Sequence, residues 1–124
     1  MIKGIGTDII EIDRVAKAMA NGRFMSKCYT QKEISYISSK GNEAETAAAV
    51  FCAKEAVAKA LGTGFSGFSP RDVEITRNEM GKPEVTLYDK AKKTAEAAGI
   101  FVIHVSLTHC RDHAAAFAVA EGVD

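Results

Sequence analysis

The stretch AETAAAVFCAKEAVAKAL (44–61) most constrains this fold, because it is small or apolar on nearly every side of a helical wheel. A surface helix carries one apolar stripe, whereas a helix apolar all round has to be enclosed. It is therefore expected to be the spine of the domain. Asn42 and Glu45 supply an N-terminal cap and Gly62 a stop. Helical spacing then sets Phe51, Glu55, Lys59 and Gly62 in one column, flanked by the small Ala48, Cys52 and Ala58. Enclosure makes Glu55 conspicuous. An ordinary i,i+4 pair with Lys59 contributes only ~0.2–0.5 kcal/mol, a poor reason to bury two charges.

Around the spine the pattern alternates between strand and helix. Residues 2–10 read as a strand thinned by Gly4 and Gly6, where another backbone can approach. A helix starting near Asp13 shows Ile12, Val15, Ala16 and Met19 on one face and stops at Asn21-Gly22. Thr30 with Glu33 is a capping box opening a second helix, which ends at Gly41. Beyond the Gly-rich loop at 62–70, residues 73–76 and 85–87 read as a hairpin turning near Gly81. Asp89 is expected to cap a helix ending at Gly99, and 100–108 and 114–120 are two further strands. The βαβ alternation of a doubly wound sheet is missing, so the class is α+β. The expectation is one compact domain over 1–124, a long buried helix packed on antiparallel strands, without linker, repeat or low-complexity segment.

Composition narrows the function. A net charge of zero argues against a nucleic-acid binder. No apolar run approaches the ~20 residues that span a bilayer, so no membrane partner is expected. Asp8 interrupts the apolar stretch a signal peptide needs, and Cys28, Cys52 and Cys110 lack metal-type spacing. Both point to a reducing cytoplasm. Residues 14–32 hold Arg14, Lys17, Arg23, Lys27 and Lys32 and no acid. That segment is either a docking surface for an acidic partner or a solvated face.

Asp8 adds a carboxylate at the end of the glycine-thinned strand, where a strand-end cap is its plainest role. Together with Glu55 it would offer hard oxygen ligands suited to Mg²⁺, and Lys59 beside them could meet charge on a transferring phosphoryl group. Spacing alone does not bring the carboxylates together; their meeting is inferred. His104, His109, Cys110 and His113 lie on a strand and turn with one cysteine among them, so they are not read as a zinc site. Cys52 reads as a small core residue. GIGTDI lacks the third glycine of a dinucleotide fingerprint.

The segments GIGTDIIEIDR (4–14) and FCAKEAVAKALGTG (51–64) resemble the two signatures of the holo-acyl-carrier-protein synthase family, G-x-D-[IV]-x-x-[IV]-x-R and F-x-x-K-E-A-x-x-K-A-x-G-T-G. MGKPEV (80–85), HVSLTH (104–109) and an Ala-rich last strand follow in the family's order. The resemblance implies a 4'-phosphopantetheinyl transferase fold and an Mg²⁺-dependent reaction of fatty-acid biosynthesis. A serine of apo acyl carrier protein attacks the β-phosphate of coenzyme A, phosphopantetheine moves to it, and adenosine 3',5'-bisphosphate leaves. It further implies that Asp8 and Glu55 hold Mg²⁺ and that Lys59 neutralises charge on the pyrophosphate. Glu55, or a metal-bound water that it orients, would accept the serine proton. Phe51, Lys59, Thr63, Gly64, Gly81, Lys82, Pro83 and His109 match positions lining the coenzyme A site. Arg14, Arg23 and Phe24 match the surface that docks the acidic carrier helix, in agreement with the acid-free segment.

Three departures from the pattern are Val50 for an arginine, Met80 for an asparagine and His113 for a tyrosine. They bear on how the adenosine 3'-phosphate or base is held, and leave Asp8, Glu55 and Lys59 intact. A binding module without turnover is the rival reading. The resemblance also implies a homotrimer with active sites at subunit clefts. Asp8, Glu55 and Lys59 would come from one subunit, with the 81–83 turn and the His109 strand completing the pocket from a neighbour or a shared rim. Physically, a small chain with a strand such as HAAAFAVAEG has more apolar surface than one helix need cover.

Overall fold

The computed structural model describes residues 1–124. In chain order it holds β1 (Ile2–Glu11), α1 (Ile12–Met19), α2 (Gly22–Cys28), α3 (Gln31–Ser39) and α4 (Glu43–Ala60). These are followed by β2 (Val73–Arg77), β3 (Pro83–Leu87), α5 (Asp89–Ala97), β4 (Ile100–His109) and β5 (His113–Gly122). The expected spine is α4. From Ala47 to Ala60 it is buried everywhere except along Phe51, Glu55 and Lys59.

A three-stranded antiparallel sheet in the order β1-β5-β4 lies on α4, and β2 and β3 form a separate hairpin. This is the α+β arrangement anticipated, antiparallel strands on a long helix. Contact with the helix explains the glycines. A Cβ on Gly4 would stand 2.0 Å from the carbonyl oxygen of Ala60, and one on Gly6 2.0 Å from that of Ala56. The strand therefore rests backbone to backbone on the helix, and the buried Ala114, Ala116, Ala118 and Ala120 of β5 continue this small-residue surface. The opposite sheet face is uncovered: Ile5, Ile9 and Phe117 are 62%, 67% and 47% exposed. No helix is long and apolar enough to cross a membrane.

Several local expectations are corrected. Asn21-Gly22 ends α1 but also starts α2, with the Asn21 side chain accepting from the Arg23 N–H at 2.9 Å. The Asn42 side chain does not cap α4; its amide instead donates to Glu45 Oε2 at 2.8 Å. Tyr88, not Asp89, is the cap of α5, and Asp89 enters the helix at φ 49°. The Thr30–Glu33 capping box forms as expected.

The spine's buried charge is Lys54, which sequence reading passed over, and not Glu55. Its ammonium meets Glu33 Oε1 at 2.7 Å, both side chains being fully buried, and donates to the carbonyls of Pro70 (2.8 Å) and Val73 (2.6 Å). Glu33 in turn accepts from the backbone N–H groups of Thr30 and Ile75. All three ammonium protons are placed and Glu33 accepts three hydrogen bonds, which offsets the burial that pulls the Lys54 pKa down.

The close strand–helix approach makes a sharp prediction. Gly6→Ala should lower the urea midpoint of unfolding with an unchanged slope, at a cost of at least the ~1–3 kcal/mol typical of overpacking. Gly22→Ala is the control, since an added Cβ there meets nothing within 4 Å. Equal midpoints for the two variants would refute the packing argument.

Candidate active site

Asp8 sits on the helix-facing side of β1, opposite Ala116 of β5 and two residues beyond Gly6. Because Gly6 lets β1 settle onto α4, the Asp8 side chain arrives over the exposed column of the helix. Lys59 Nζ donates to the Thr7 carbonyl at 2.9 Å and meets Asp8 Oδ1 at 3.3 Å. Its ionic partner is thus Asp8 rather than Glu55, the i,i+4 neighbour expected from helical spacing. Glu55 is half-buried, not enclosed as its helix had suggested. Its carboxyl is pushed above the usual range, first by burial and then by the charge of Asp8, against the opposing pull of Lys59. Strand and helix have brought two carboxylates and one ammonium together.

The floor beside this group is neutral. Cys52, one turn before Glu55 on α4, is buried and donates to the Ala114 carbonyl at 3.3 Å. Burial, then the Asp8 charge, pushes its thiol up to about 12, which suits a core residue and not a nucleophile.

Other predicted positions fall into two groups. Phe51 is half-buried at the head of the column and packs on Phe24 of α2, ring centroids 5.9 Å apart. Phe24 packs edge-on against Tyr29 at 5.7 Å. Arg14 on α1 and Arg23 on α2 are exposed on the same helical excursion. Thr63 and Gly64 follow α4, where Gly62 (φ 87°) and Gly64 (φ 60°) need the left-handed region. Phe51 shares the exposed column of α4 with Glu55 and Lys59, and Thr63 and Gly64 follow at its C-terminal end.

The second group lies elsewhere in the chain. His109 closes β4 with Nε2 3.3 Å from Glu45 Oε2. Glu45 precedes Glu55 by ten residues, a rise of about 15 Å along a helix. Beside His109 is a polar cavity of about 320 Å³ lined also by Tyr36, Lys40 and Arg77. Gly81, Lys82 and Pro83 form the β2–β3 turn, held by Asn78 and tied to Arg77, whose Nη1 donates to the Gly81 carbonyl at 3.3 Å. Lys40 and Arg77, each over the Tyr36 ring at 5.1 and 5.6 Å, were missed. They come from different elements, and no local pattern marks them.

Of the departures, Val50 is buried, Met80 is 91% exposed, and His113 meets Asp112 Oδ1 at 3.0 Å. The four metal-type residues of the last two strands do not converge: His104 pairs with Glu121 and His109 with Glu45.

Asp8 and Glu55 are the residues that could hold a metal. Two hard-oxygen donors, one raised by the other's charge and countered by a single ammonium, are a set that fits Mg²⁺. In chelator-treated protein, Glu55 should titrate above an ordinary glutamate by carboxyl-carbon NMR. Asp8→Asn should lower that value and Lys59→Met should raise it. Since its pKa is higher folded than unfolded, this group should add stability as pH falls through the folded value. An Asp8→Asn variant with unshifted Glu55 titration would show that the carboxylates do not face each other.

Comparison with known proteins places the chain in a family. Residues 4–118 match the family model of the 4'-phosphopantetheinyl transferase superfamily. A holo-[acyl-carrier-protein] synthase of Clostridium perfringens is 49% identical over 127 residues, which cover 98% of this chain and 96% of that one. The crystal structure of holo-[acyl-carrier-protein] synthase from Neisseria meningitidis superposes with a TM-score of 0.90 at 35% identity, covering 98% and 99% of the two chains. That of the Bacillus anthracis synthase, solved in complex with CoA (3',5'-ADP), gives 0.82 at 33% identity, covering 99% of each. This chain belongs to the 4'-phosphopantetheinyl transferase superfamily, among its holo-[acyl-carrier-protein] synthases.

Proposed function

We propose that this chain moves 4'-phosphopantetheine from coenzyme A to a serine of apo acyl carrier protein, releasing adenosine 3',5'-bisphosphate. The observation that carries the reading is the meeting of Asp8, Glu55 and Lys59 from two separate signature segments, on a fold shared with a synthase solved with coenzyme A. Mg²⁺ held by Asp8 and Glu55 would neutralise charge on the pyrophosphate. Lys59, half-exposed and anchored by the Thr7 carbonyl, offers its ammonium to the leaving phosphate. Glu55, with its raised pKa, is suited to accept the serine proton. Thr63 and Gly64 offer a backbone that a phosphate can approach closely.

Lys40 and Arg77 beside His109, with the 81–83 turn, suit the phosphate-rich nucleotide end of coenzyme A. That cluster stands apart from Glu55 within one chain, and the uncovered Ile5, Ile9 and Phe117 need a partner surface. Both features support a homotrimer in which one subunit's nucleotide cluster serves another's carboxylates; the number three rests on the family resemblance. Arg14 and Arg23, with Phe24 packed at a tilt on Phe51, form a cationic approach for the acidic carrier. A cytoplasmic location fits three free cysteines, and the carriers of fatty-acid synthesis follow from the family resemblance alone.

Mass measurement of an apo carrier incubated with coenzyme A tests the reading. The carrier should gain phosphopantetheine only when Mg²⁺ is present. Glu55→Gln and Asp8→Asn should each cost on the order of 10²–10⁴-fold in rate. Lys59→Ala should lower kcat more than it raises KM, and Arg14→Glu should raise KM for the carrier but not for coenzyme A, least so at high salt. No mass gain with any carrier would make the chain a binding module.

Light scattering should give three chains per particle, and Phe117→Asp should yield smaller, inactive ones. A fully active monomer would contradict the shared site.

A further inference from the structure

The turn between β4 and β5 gathers three potential ligands that the chemistry above leaves unused. Cys110, Asp112 and His113 place one ligand atom each within 4.8 Å of one another. Cys110 Sγ stands 3.4 Å from Asp112 Oδ1, and His113 Nδ1 stands 3.0 Å from the same oxygen. Around a tetrahedral ion with bonds of roughly 2.0–2.3 Å, neighbouring ligand atoms are about 3.3–3.7 Å apart. Small side-chain rotations therefore convert this hydrogen-bonded trio into a coordination set.

The backbone beneath is already fixed. Cys110 N–H donates to the His113 carbonyl at 2.8 Å, closing the turn, and Ile12 N–H donates to the Asp112 carbonyl at 2.9 Å, tying it to the start of α1. Cys110 and Asp112 are exposed and His113 is half-exposed, so an ion can enter without opening the fold. By sequence, His104, His109, Cys110 and His113 were not read as a zinc site, having strand and turn spacing and one cysteine among them. The structure withdraws the first two to Glu121 and Glu45, and adds Asp112 in their place.

We propose that Cys110, Asp112 and His113 form a site for a borderline-soft divalent cation, Zn²⁺ or Co²⁺, with the fourth position open to solvent. The donors are one thiolate, one carboxylate and one imidazole, a mixture that suits Zn²⁺ and disfavours Mg²⁺. Binding releases the Cys110 thiol proton, and the Nδ1 proton that His113 gives to the ionised Asp112 carboxylate moves to Nε2 or to solvent, freeing the Nδ1 lone pair for the ion. The site is distinct from the Asp8–Glu55 pair. His113 lies opposite Glu11 in the sheet, three residues along β1 from Asp8, or about 10 Å of extended strand.

Untagged full-length protein titrated with Co²⁺ is the test, read by the near-ultraviolet absorption of a thiolate-to-cobalt charge transfer. One equivalent should saturate the band, Zn²⁺ should displace it, and excess Mg²⁺ should not. Cys110→Ser should abolish the band, whereas Cys28→Ser and Glu55→Gln should retain it. Asp112→Asn and His113→Gln should each weaken Zn²⁺ in a chelator competition by at least the roughly 10–100-fold that even outer-shell partners cost. No saturable band in the wild type, a band that persists in Cys110→Ser, or unchanged Zn²⁺ affinity in the other two variants would overturn the proposal.

Discussion

The contact between β1 and α4, backbone against backbone, is the constraint on which the rest of this molecule depends. Gly4 and Gly6 leave no Cβ to hold the strand off the carbonyls of Ala60 and Ala56. Any side chain there would lift β1 away, and with it Asp8, which has no other route to the exposed column of α4. The alanines of α4 and β5 serve the same end. Small residues contribute little transfer free energy apiece, but they permit a close approach that fixes the relative height of strand and helix. The candidate centre is thus a consequence of thin packing, with the carboxylates supplied by two elements that neither cap nor turn connects.

A second constraint sets which side of α4 faces out. Lys54 is adjacent to Glu55 in sequence and points into the core, where Glu33 of α3 and the carbonyls of Pro70 and Val73 receive its ammonium. With those bonds made, Glu55 is rotated about 100° away, toward β1. A buried ion pair is weak evidence of stability, since a matched apolar pair is often as good. Its value here is directional: its bonds are satisfied in one orientation of the helix, and that orientation leaves Phe51, Glu55 and Lys59 in the open column.

Much of this was legible in the sequence because it is local. The all-round small composition of 44–61 announced an enclosed helix, Gly4 and Gly6 announced a close approach, and Thr30 with Glu33 announced a cap that the structure contains. Long-range effects were not legible. Helical spacing assigned Lys59 to Glu55, but the Asp8 side chain and the Thr7 carbonyl, distant in sequence, claim it. The same spacing placed Glu55 inside the core and overlooked Lys54, since a lysine in an alanine helix carries no mark of its buried partner on α3. Asn21-Gly22 was read as an end because a cap residue and a stop share one dipeptide when helices follow without a linker.

The central claim is that Asp8 and Glu55, brought together by this packing, form one cation-binding centre. Anomalous diffraction from crystals grown with Mn²⁺ and coenzyme A addresses it directly. The account predicts a single strong peak within bonding distance of both carboxylates. A peak that touches neither, or none while coenzyme A is well ordered, would contradict it.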